Sequence, residues 1–338
     1  MYFCQSISVV EIEKFVSSAR LSSYHTLIGS PKLEDAIGSY VWGLELNGAL
    51  SSLLSVFEVV LRNSIHGAAS AYYGKQDWYL DLLKWQGDLL WHQKVAQNLG
   101  ITQKYYRSNC PPYNKKKITL GSVQKNLMHW RSPAEGKIEE IKQRLTKSGK
   151  PNTPNQIVAH AMFGFWLNLF EHTFESATDP SALWPTCLNL IFRNNPSVTR
   201  AQVEAALSGI KDLRNRISHH EPAWKIAVTQ TPAGVHAALN IQVREIVMII
   251  EAISGDVSKF LVNSGILERI ARLTDPTVIT AYAGNQQLEA VDLRKAVRRF
   301  KKIVRGSTKR NHLAAPQPEK SFSVTDGENT LVTVTPHI

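Results

Sequence analysis

The densest group of reactive side chains in the chain is Leu213-Arg214-Asn215-Arg216-Ile217-Ser218-His219-His220-Glu221-Pro222. Imidazole, with an unperturbed pKa of about 6.5, both accepts and donates a proton near neutral pH, and guanidinium stays charged and matches phosphate oxygens bidentately. Together these groups suit phosphoryl chemistry. On an ideal helix Asn215 and His219 are i,i+4 neighbours on one face, whereas Arg214 and His219, five apart, point about 140° away from each other. One straight helix does not easily clamp one phosphate with both. Either the helix frays before Pro222 and His219 swings round, or two copies place their helices side by side and share a cleft. A plainer alternative is that His219 and His220 end a helix and cap its carbonyls. Arg216 and Glu221 read as a supporting ion pair, and Trp224 as an apolar anchor.

A shorter echo of the cluster is Arg62-Asn63-Ser64-Ile65-His66, with Glu58 one turn earlier. Glu58, Arg62 and His66 are successive i,i+4 neighbours, so a local Glu58–Arg62 ion pair with a flanking His66 is the economical expectation. The rival reading turns this ridge toward the main cluster, to hold Arg214 or the substrate. Two basic stretches could meet a polyanion. One is Lys115, Lys116 and Lys117, and the other is the helix from Asp292 to Arg305, with Arg294, Arg298, Arg299 and Lys302. Each reads equally as a solvated surface. The sequence holds no carboxylate cluster at metal-ligand spacing and no Gly-x-x-x-x-Gly-Lys phosphate loop, so neither a metal nor a cofactor is expected.

The elements that position these groups are helical. From Trp42 to Tyr73 the residues Leu46, Leu50, Leu53, Phe57, Leu61 and Ile65 recur three or four apart, which predicts one long helix stopping near Gly74. A second helix is expected from Trp78 to Leu99. Residues 101–154 are punctuated by Pro111, Pro112, Gly121, Pro133, Gly149, Pro151 and Pro154 and carry the lysine run, and predict an irregular basic insert with one short helix around Ala134 to Lys147. Helical patterning resumes from Asn155 to Thr173. The segment Ser197 to Ser218 opens with Thr199 and Gln202 in capping-box spacing and carries Val203, Leu207, Ile210, Leu213 and Ile217. Helices Gly234 to Ile253 and Val257 to Leu273 follow. After Gly306 the sequence turns polar and a disordered tail is expected, giving a domain over 1–305 and a flexible tail over 306–338.

Composition narrows the class. The chain has 338 residues, 43% hydrophobic and 20% charged, enough apolar material for a sizeable core. Lys and Arg number 39 against 28 Asp and Glu, a formal net charge of +11 that favours polyanionic partners. Cys4, Cys110 and Cys187 are odd in number and widely spaced, which argues against a disulfide scaffold or a zinc module. Apolar runs are interrupted by Glu58, Asn168 or Glu245, and Met1 to Val10 lacks the pattern of a secretion signal, so a cytoplasmic protein without a membrane span is expected.

The Arg214-Asn215-x-x-x-His219 core with its His-His-Glu-Pro continuation resembles the active-site signature of the HEPN superfamily, and specifically the abortive-infection (Abi-like) proteins of bacteria. Phe57-Glu58-x-x-Leu61-Arg62-Asn63 and Phe163-Gly164-Phe165-Trp166-x-x-Leu169 also resemble that family's pattern, and the ordered match runs from about Ser39 to Ile250. The resemblance implies an all-α, HEPN-like helical bundle, here with additional helices and the basic insert. It also implies a metal-independent endoribonuclease of phage defence or a toxin-antitoxin system, working as a homodimer with two facing motifs. By position, Arg214 and His219 are then catalytic and Asn215 orients them. Arg62-x-x-x-His66 is one residue shorter than the family spacing and inherits no catalytic role. RNA is the implied substrate, with an antitoxin protein or RNA as a further partner. The alternative is a non-catalytic helical RNA-binding or assembly module in a defence system, and a third is a scaffold for protein partners.

Overall fold

A computed structural model describes residues 8–90, 117–120, 123–126, 133–284, 289–291, 298, 322–326 and 329–334, with side chains over 8–86, 134–284 and at 298. From the N-terminus run α1 (Val9–Val16), α2 (Ser18–Ile28), the 41-residue α3 (Leu33–Tyr73) and α4 (Tyr79–Leu90). Strands β1 (Lys117–Leu120) and β2 (Val123–Asn126) pair antiparallel, with Lys117 opposite Asn126, ahead of α5 (Pro133–Lys147). Three short helices follow: α6 (Pro154–His160), α7 (Phe163–Asn168) and α8 (Thr186–Ile191). Next come α9 (Arg200–Ser218), α10 (Pro232–Ile253), α11 (Gly255–Asn263), α12 (Ile266–Thr274) and α13 (Pro276–Tyr282). Strand β3 (Glu289–Val291) pairs parallel with β4 (Phe322–Asp326), which pairs antiparallel with β5 (Asn329–Val334).

The fold class is all-α: among the described residues, every buried apolar side chain belongs to a helix or to a loop joining helices. Strands β1 and β2 fall in the segment expected to be an irregular insert, β4 and β5 in the segment expected to be a disordered tail, and β3 ahead of that tail. Both segments carry β-branched residues at high density, Ile118, Thr119 and Val123 in one and Val324, Thr325, Thr330, Val332, Thr333 and Val334 in the other, which favours extended pairing.

Two compact units divide the chain. The first comprises residues 1–46, 227–237 and 269–338, and the second residues 47–226 and 238–268. In the first, Trp42 is fully buried and its indole N–H donates to the Leu273 carbonyl at 2.7 Å. Gly38 approaches α13 so closely that a Cβ there would lie 1.9 Å from the Tyr282 carbonyl oxygen, so only glycine fits.

The second unit carries the candidate site. Its core takes Leu50, Leu53, Phe57, Leu61 and Ile65 from α3, Trp78 from the turn before α4, Leu82 and Leu83 from α4, and Val203, Leu207, Ile210 and Leu213 from α9. Each such side chain contributes about 1.5–3 kcal/mol through burial. Helix α5 packs on α4, α6 and α7, and α7 packs on α9. Phe57 meets Phe163 edge to face at 6.0 Å between ring centroids.

Three boundaries differ from the sequence expectation. Helix α3 starts nine residues earlier, with Glu34 and Asp35 in its first turn, where carboxylates favour the helix dipole. The single helix expected over Asn155 to Thr173 is broken at Met162, whose φ −67°, ψ 155° is extended; the break lets Phe163, Phe165 and Trp166 all reach the core. The helix expected over Val257 to Leu273 is cut at Gly265, which turns the chain with φ +72°.

A further correction concerns apolar length. Helices α3 and α10 are each long and apolar enough, by length and composition, to cross a membrane. Glu58 and Glu245 interrupt the apolar runs, yet the mean over 18 residues stays apolar with one or two charged side chains inside it. Part of each helix faces the protein core, through Leu53, Phe57 and Leu61 in α3 and Ile246 and Ile250 in α10.

Candidate functional site

Helix α9 is the platform, and its N-terminal end is firmly tied. The Thr199 hydroxyl accepts from the Gln202 backbone N–H at 3.3 Å, and the Gln202 side chain accepts from the Thr199 N–H at 2.9 Å, completing the capping box read from sequence. Arg200, the first helical residue, is 8% exposed, and its Nε donates to Glu175 at 2.6 Å. The same guanidinium also donates to Glu204 and to the Phe170 carbonyl. A charge so nearly buried is tolerated because two of its nitrogens are hydrogen-bonded and two carboxylates face it.

Toward the other end, the buried row Val203, Leu207 and Ile210 continues to Arg214. Arg214 and Asn215 are therefore half-buried, whereas His219 lies in solvent. Among the described residues, none of these three side chains has a hydrogen-bond or ion-pair partner.

The helix stops by a defined device. His219 is the cap residue with φ −93°, ψ 14°, and its N–H bonds to the Asn215 carbonyl at 3.0 Å. His220 takes φ +57°, the left-handed region, and its N–H donates to Ile217 at 3.1 Å while the Glu221 N–H donates to Arg216 at 2.8 Å. That pair of bonds is the Schellman pattern, with a histidine where glycine is usual. The reversal comes at His220, one residue after His219, so His219 keeps its helical azimuth. Fraying before Pro222, the first of the two ways to bring His219 round to Arg214, does not occur.

Three contacts brace the turn. Arg216 donates to the Glu221 carboxylate at 3.1 Å, the expected ion pair. Trp224 is fully buried, as an anchor should be, and the Lys225 ammonium stands 5.9 Å from its ring centre. The third contact was not read from sequence. Asn47 of α3 donates to the Glu221 carbonyl at 2.9 Å and accepts from the Ala223 N–H at 3.0 Å. Its partners lie 174 and 176 positions away, and no local pattern marks it.

The second ridge serves the scaffold. Arg62 donates to the Ala159 carbonyl at 3.2 Å, near the C-terminal end of α6, and to its neighbour Asn63 at 3.4 Å; the Glu58–Arg62 ion pair expected from spacing is not formed. A helix-end carbonyl concentrates partial negative charge and competes well with a half-exposed carboxylate. His66 Nδ1 accepts from the Trp78 indole at 3.0 Å, and burial pulls its pKa below the usual imidazole value. Arg62 is thus engaged with α6 and His66 with the turn that leads into α4.

Of the basic residues read as RNA contacts, Lys115, Lys116, Arg294, Arg299 and Lys302 lie outside the described residues. Lys117 opens β1, and Arg298 is helical and exposed. The described part of the insert contributes Lys137 of α5, which the sequence did not single out. Its ammonium lies 3.0 Å from the Asn168 carboxamide oxygen once that amide is turned to satisfy its neighbours, and burial lowers its pKa. Among the described residues no three His, Cys, Asp or Glu side chains converge as metal ligands would.

A family model of the Abi-like proteins matches residues 3–225, a span that takes in α3, the second ridge and the whole of the α9 turn. No curated protein and no solved structure matches the chain. Family membership points to abortive infection, a form of phage defence. With the match covering well over half of its length, the chain belongs to the Abi-like protein family.

Proposed function

We propose that this protein is an endoribonuclease of phage defence, of the HEPN type, that cleaves RNA without a metal ion. The observation that carries the reading is the state of Arg214 and His219: a guanidinium and an imidazole at the end of a tied-down helix, neither engaged by another described residue. A guanidinium held on a tied helix without a protein partner, near an exposed histidine, suits an anion from outside.

The chemistry is transesterification. The ribose 2'-hydroxyl oxygen attacks the adjacent phosphorus as the bond to the 5'-oxygen breaks, leaving a 2',3'-cyclic phosphate and a 5'-hydroxyl. His219 moves the proton that the 2'-hydroxyl gives up and the leaving 5'-oxygen takes, help worth about 10²- to 10⁴-fold. Arg214 stabilises charge building on the phosphoryl oxygens, and Asn215, next to Arg214 and one turn before His219, orients the pair. Because His219 keeps its helical azimuth, the two groups diverge on one helix. A homodimer with two facing α9 ends brings the guanidinium of one copy to the imidazole of the other. Lys115, Lys116, Lys117, Arg294, Arg298, Arg299 and Lys302 follow the RNA backbone, and an antitoxin protein or RNA restrains the enzyme in the cytoplasm until infection.

The test is RNA-end sequencing after incubating total RNA with the wild type or with His219→Ala, each with and without chelator. Expected are new 2',3'-cyclic phosphate ends with the wild type in both conditions and none with the variant, whose RNA affinity stays within a few-fold. Intact RNA from the wild type in both conditions overturns the enzyme reading and leaves RNA binding without catalysis.

A further inference from the structure

Asn47 is half-buried on α3 and makes both of its hydrogen bonds to the backbone on either side of Pro222. Proline has no N–H to offer, so the turn lacks a backbone donor at Pro222. The carboxamide substitutes for that missing partner. Its Nδ2 donates 2.9 Å to the Glu221 carbonyl, and its Oδ1 accepts at 3.0 Å from the Ala223 N–H. Only an amide supplies a donor and an acceptor at that reach; a carboxylate accepts only, and a hydroxyl is too short to span both.

The segment so held is the one that needs holding. Upstream of Glu221 stands His220 at φ +57°, a conformation that costs a residue with a β-carbon on the order of 1–2 kcal/mol and persists only where surrounding contacts impose it. The Glu221 N–H, hydrogen-bonded to Arg216, closes the loop around His219 and His220. Asn47 therefore grips the closing residue of that loop by its carbonyl while the loop itself grips it by its N–H.

We infer that Asn47 is a positioning residue for the nuclease site: it fixes where the His219–Glu221 turn stands against α3, and thereby where the His219 imidazole meets the scissile phosphate. The inference rests on the role given to His219 above. Asn47 itself touches no substrate. A displacement of about 1 Å at a reacting group can cost roughly 100-fold in rate, so losing one bracket of the turn should appear in kcat rather than in RNA affinity.

Asn47→Asp is the informative variant, because it is isosteric, keeps the acceptor for Ala223 and sets a carboxylate against the Glu221 carbonyl. Asn47→Ala removes both bonds. Both are to be assayed as full-length protein beside His219→Ala, with melting temperature, single-turnover cleavage, RNA affinity and the NMR signals of the His219 and His220 backbone and imidazole groups. Expected for Asn47→Asp are a wild-type-like melt, RNA affinity within twofold, kcat down by roughly 10- to 100-fold and shifted His219 and His220 signals, with those of Val203 unmoved. A purely structural role would lower the melting temperature and leave kcat of the folded protein unchanged, which overturns the inference. If the wild type cleaves and the Asp variant matches it, the inference falls and the nuclease reading stands. If the wild type does not cleave, the nuclease reading falls, and unchanged His219 and His220 signals in both variants dispose of the positioning role as well.

Discussion

Arg216 and Glu221 are joined twice, once through the backbone and once through the side chains. The Glu221 N–H donates to the Arg216 carbonyl at 2.8 Å, and the Arg216 guanidinium donates to the Glu221 carboxylate at 3.1 Å. The ring so closed contains Ile217, Ser218, His219 and His220. Its side-chain half is largely solvent-exposed, at 35% and 55%, and such a pair adds about 1 kcal/mol at most. Its value is geometric: it occupies Arg216, whereas Arg214, two residues earlier, has no such partner among the described residues.

Two arginines so close in sequence should therefore respond differently to the same change. Arg214→Lys replaces a bidentate fork with a point charge and is expected to lower single-turnover RNA cleavage by about 100-fold, the usual scale for removing an oriented donor. Arg216→Lys still reaches Glu221 and is expected to cleave within a few-fold of wild type. Equal losses in the two variants would show that Arg214 holds no special place.

The left-handed His220 gives a stability prediction that does not depend on catalysis. Alanine and glycine both delete the imidazole and its contacts, so their difference isolates the backbone. Glycine adopts φ +57° without penalty, whereas alanine retains the β-carbon clash. His220→Gly should be more stable than His220→Ala by about 1 kcal/mol in urea unfolding. Coincident curves would mean that the turn relaxes out of the left-handed region once the imidazole is gone.

At the opposite end of α9, Arg200 joins three acceptors from an 8% exposed position. Arg200→Met fills similar volume but leaves the Phe170 carbonyl unmatched and two carboxylates facing each other. A loss of about 3 kcal/mol is expected in urea unfolding, the scale for breaking a buried charge network from one side. Glu175→Gln, at a side chain 43% exposed, should cost under about 1 kcal/mol. If the arginine variant costs no more than the glutamine one, the network is ornamental.

What the sequence revealed here was local. The Thr199–Gln202 box is written within four residues, and the Val203, Leu207, Ile210 and Leu213 row within eleven, so both were legible from spacing alone. The Arg216–Glu221 pair and the Trp224 anchor were legible for the same reason. Spacing misled at Glu58 and Arg62, because the competing acceptor, the Ala159 carbonyl, is 97 positions away. Asn47 was invisible for that reason too. The aromatic run Phe163, Phe165 and Trp166 suits a continuous helix by propensity, yet three adjacent large rings cannot all face one core from a single regular helix that also buries Ile157 and Val158. The chain breaks at Met162 instead. Nor did any pattern announce that helix α9 would end on a histidine in the conformation glycine prefers.

His66 offers a prediction in pH. Its Nδ1 accepts from the Trp78 indole at 3.0 Å, and burial holds its folded pKa below the ordinary value of about 6.5 that it regains on unfolding. As pH falls, the unfolded chain takes up this proton before the folded one does. The stability contributed by neutral His66 is therefore complete above about pH 6.5 and is lost as pH falls through the folded pKa. His66→Gln keeps an acceptor for the indole and removes the titration. Melting temperature measured between pH 7 and 5 should fall more steeply for the wild type than for this variant, with the two closest at the acid end relative to their separation at neutrality. Parallel curves across that window would mean that His66 carries no linked proton and that its burial is matched by an equal burial in the unfolded ensemble.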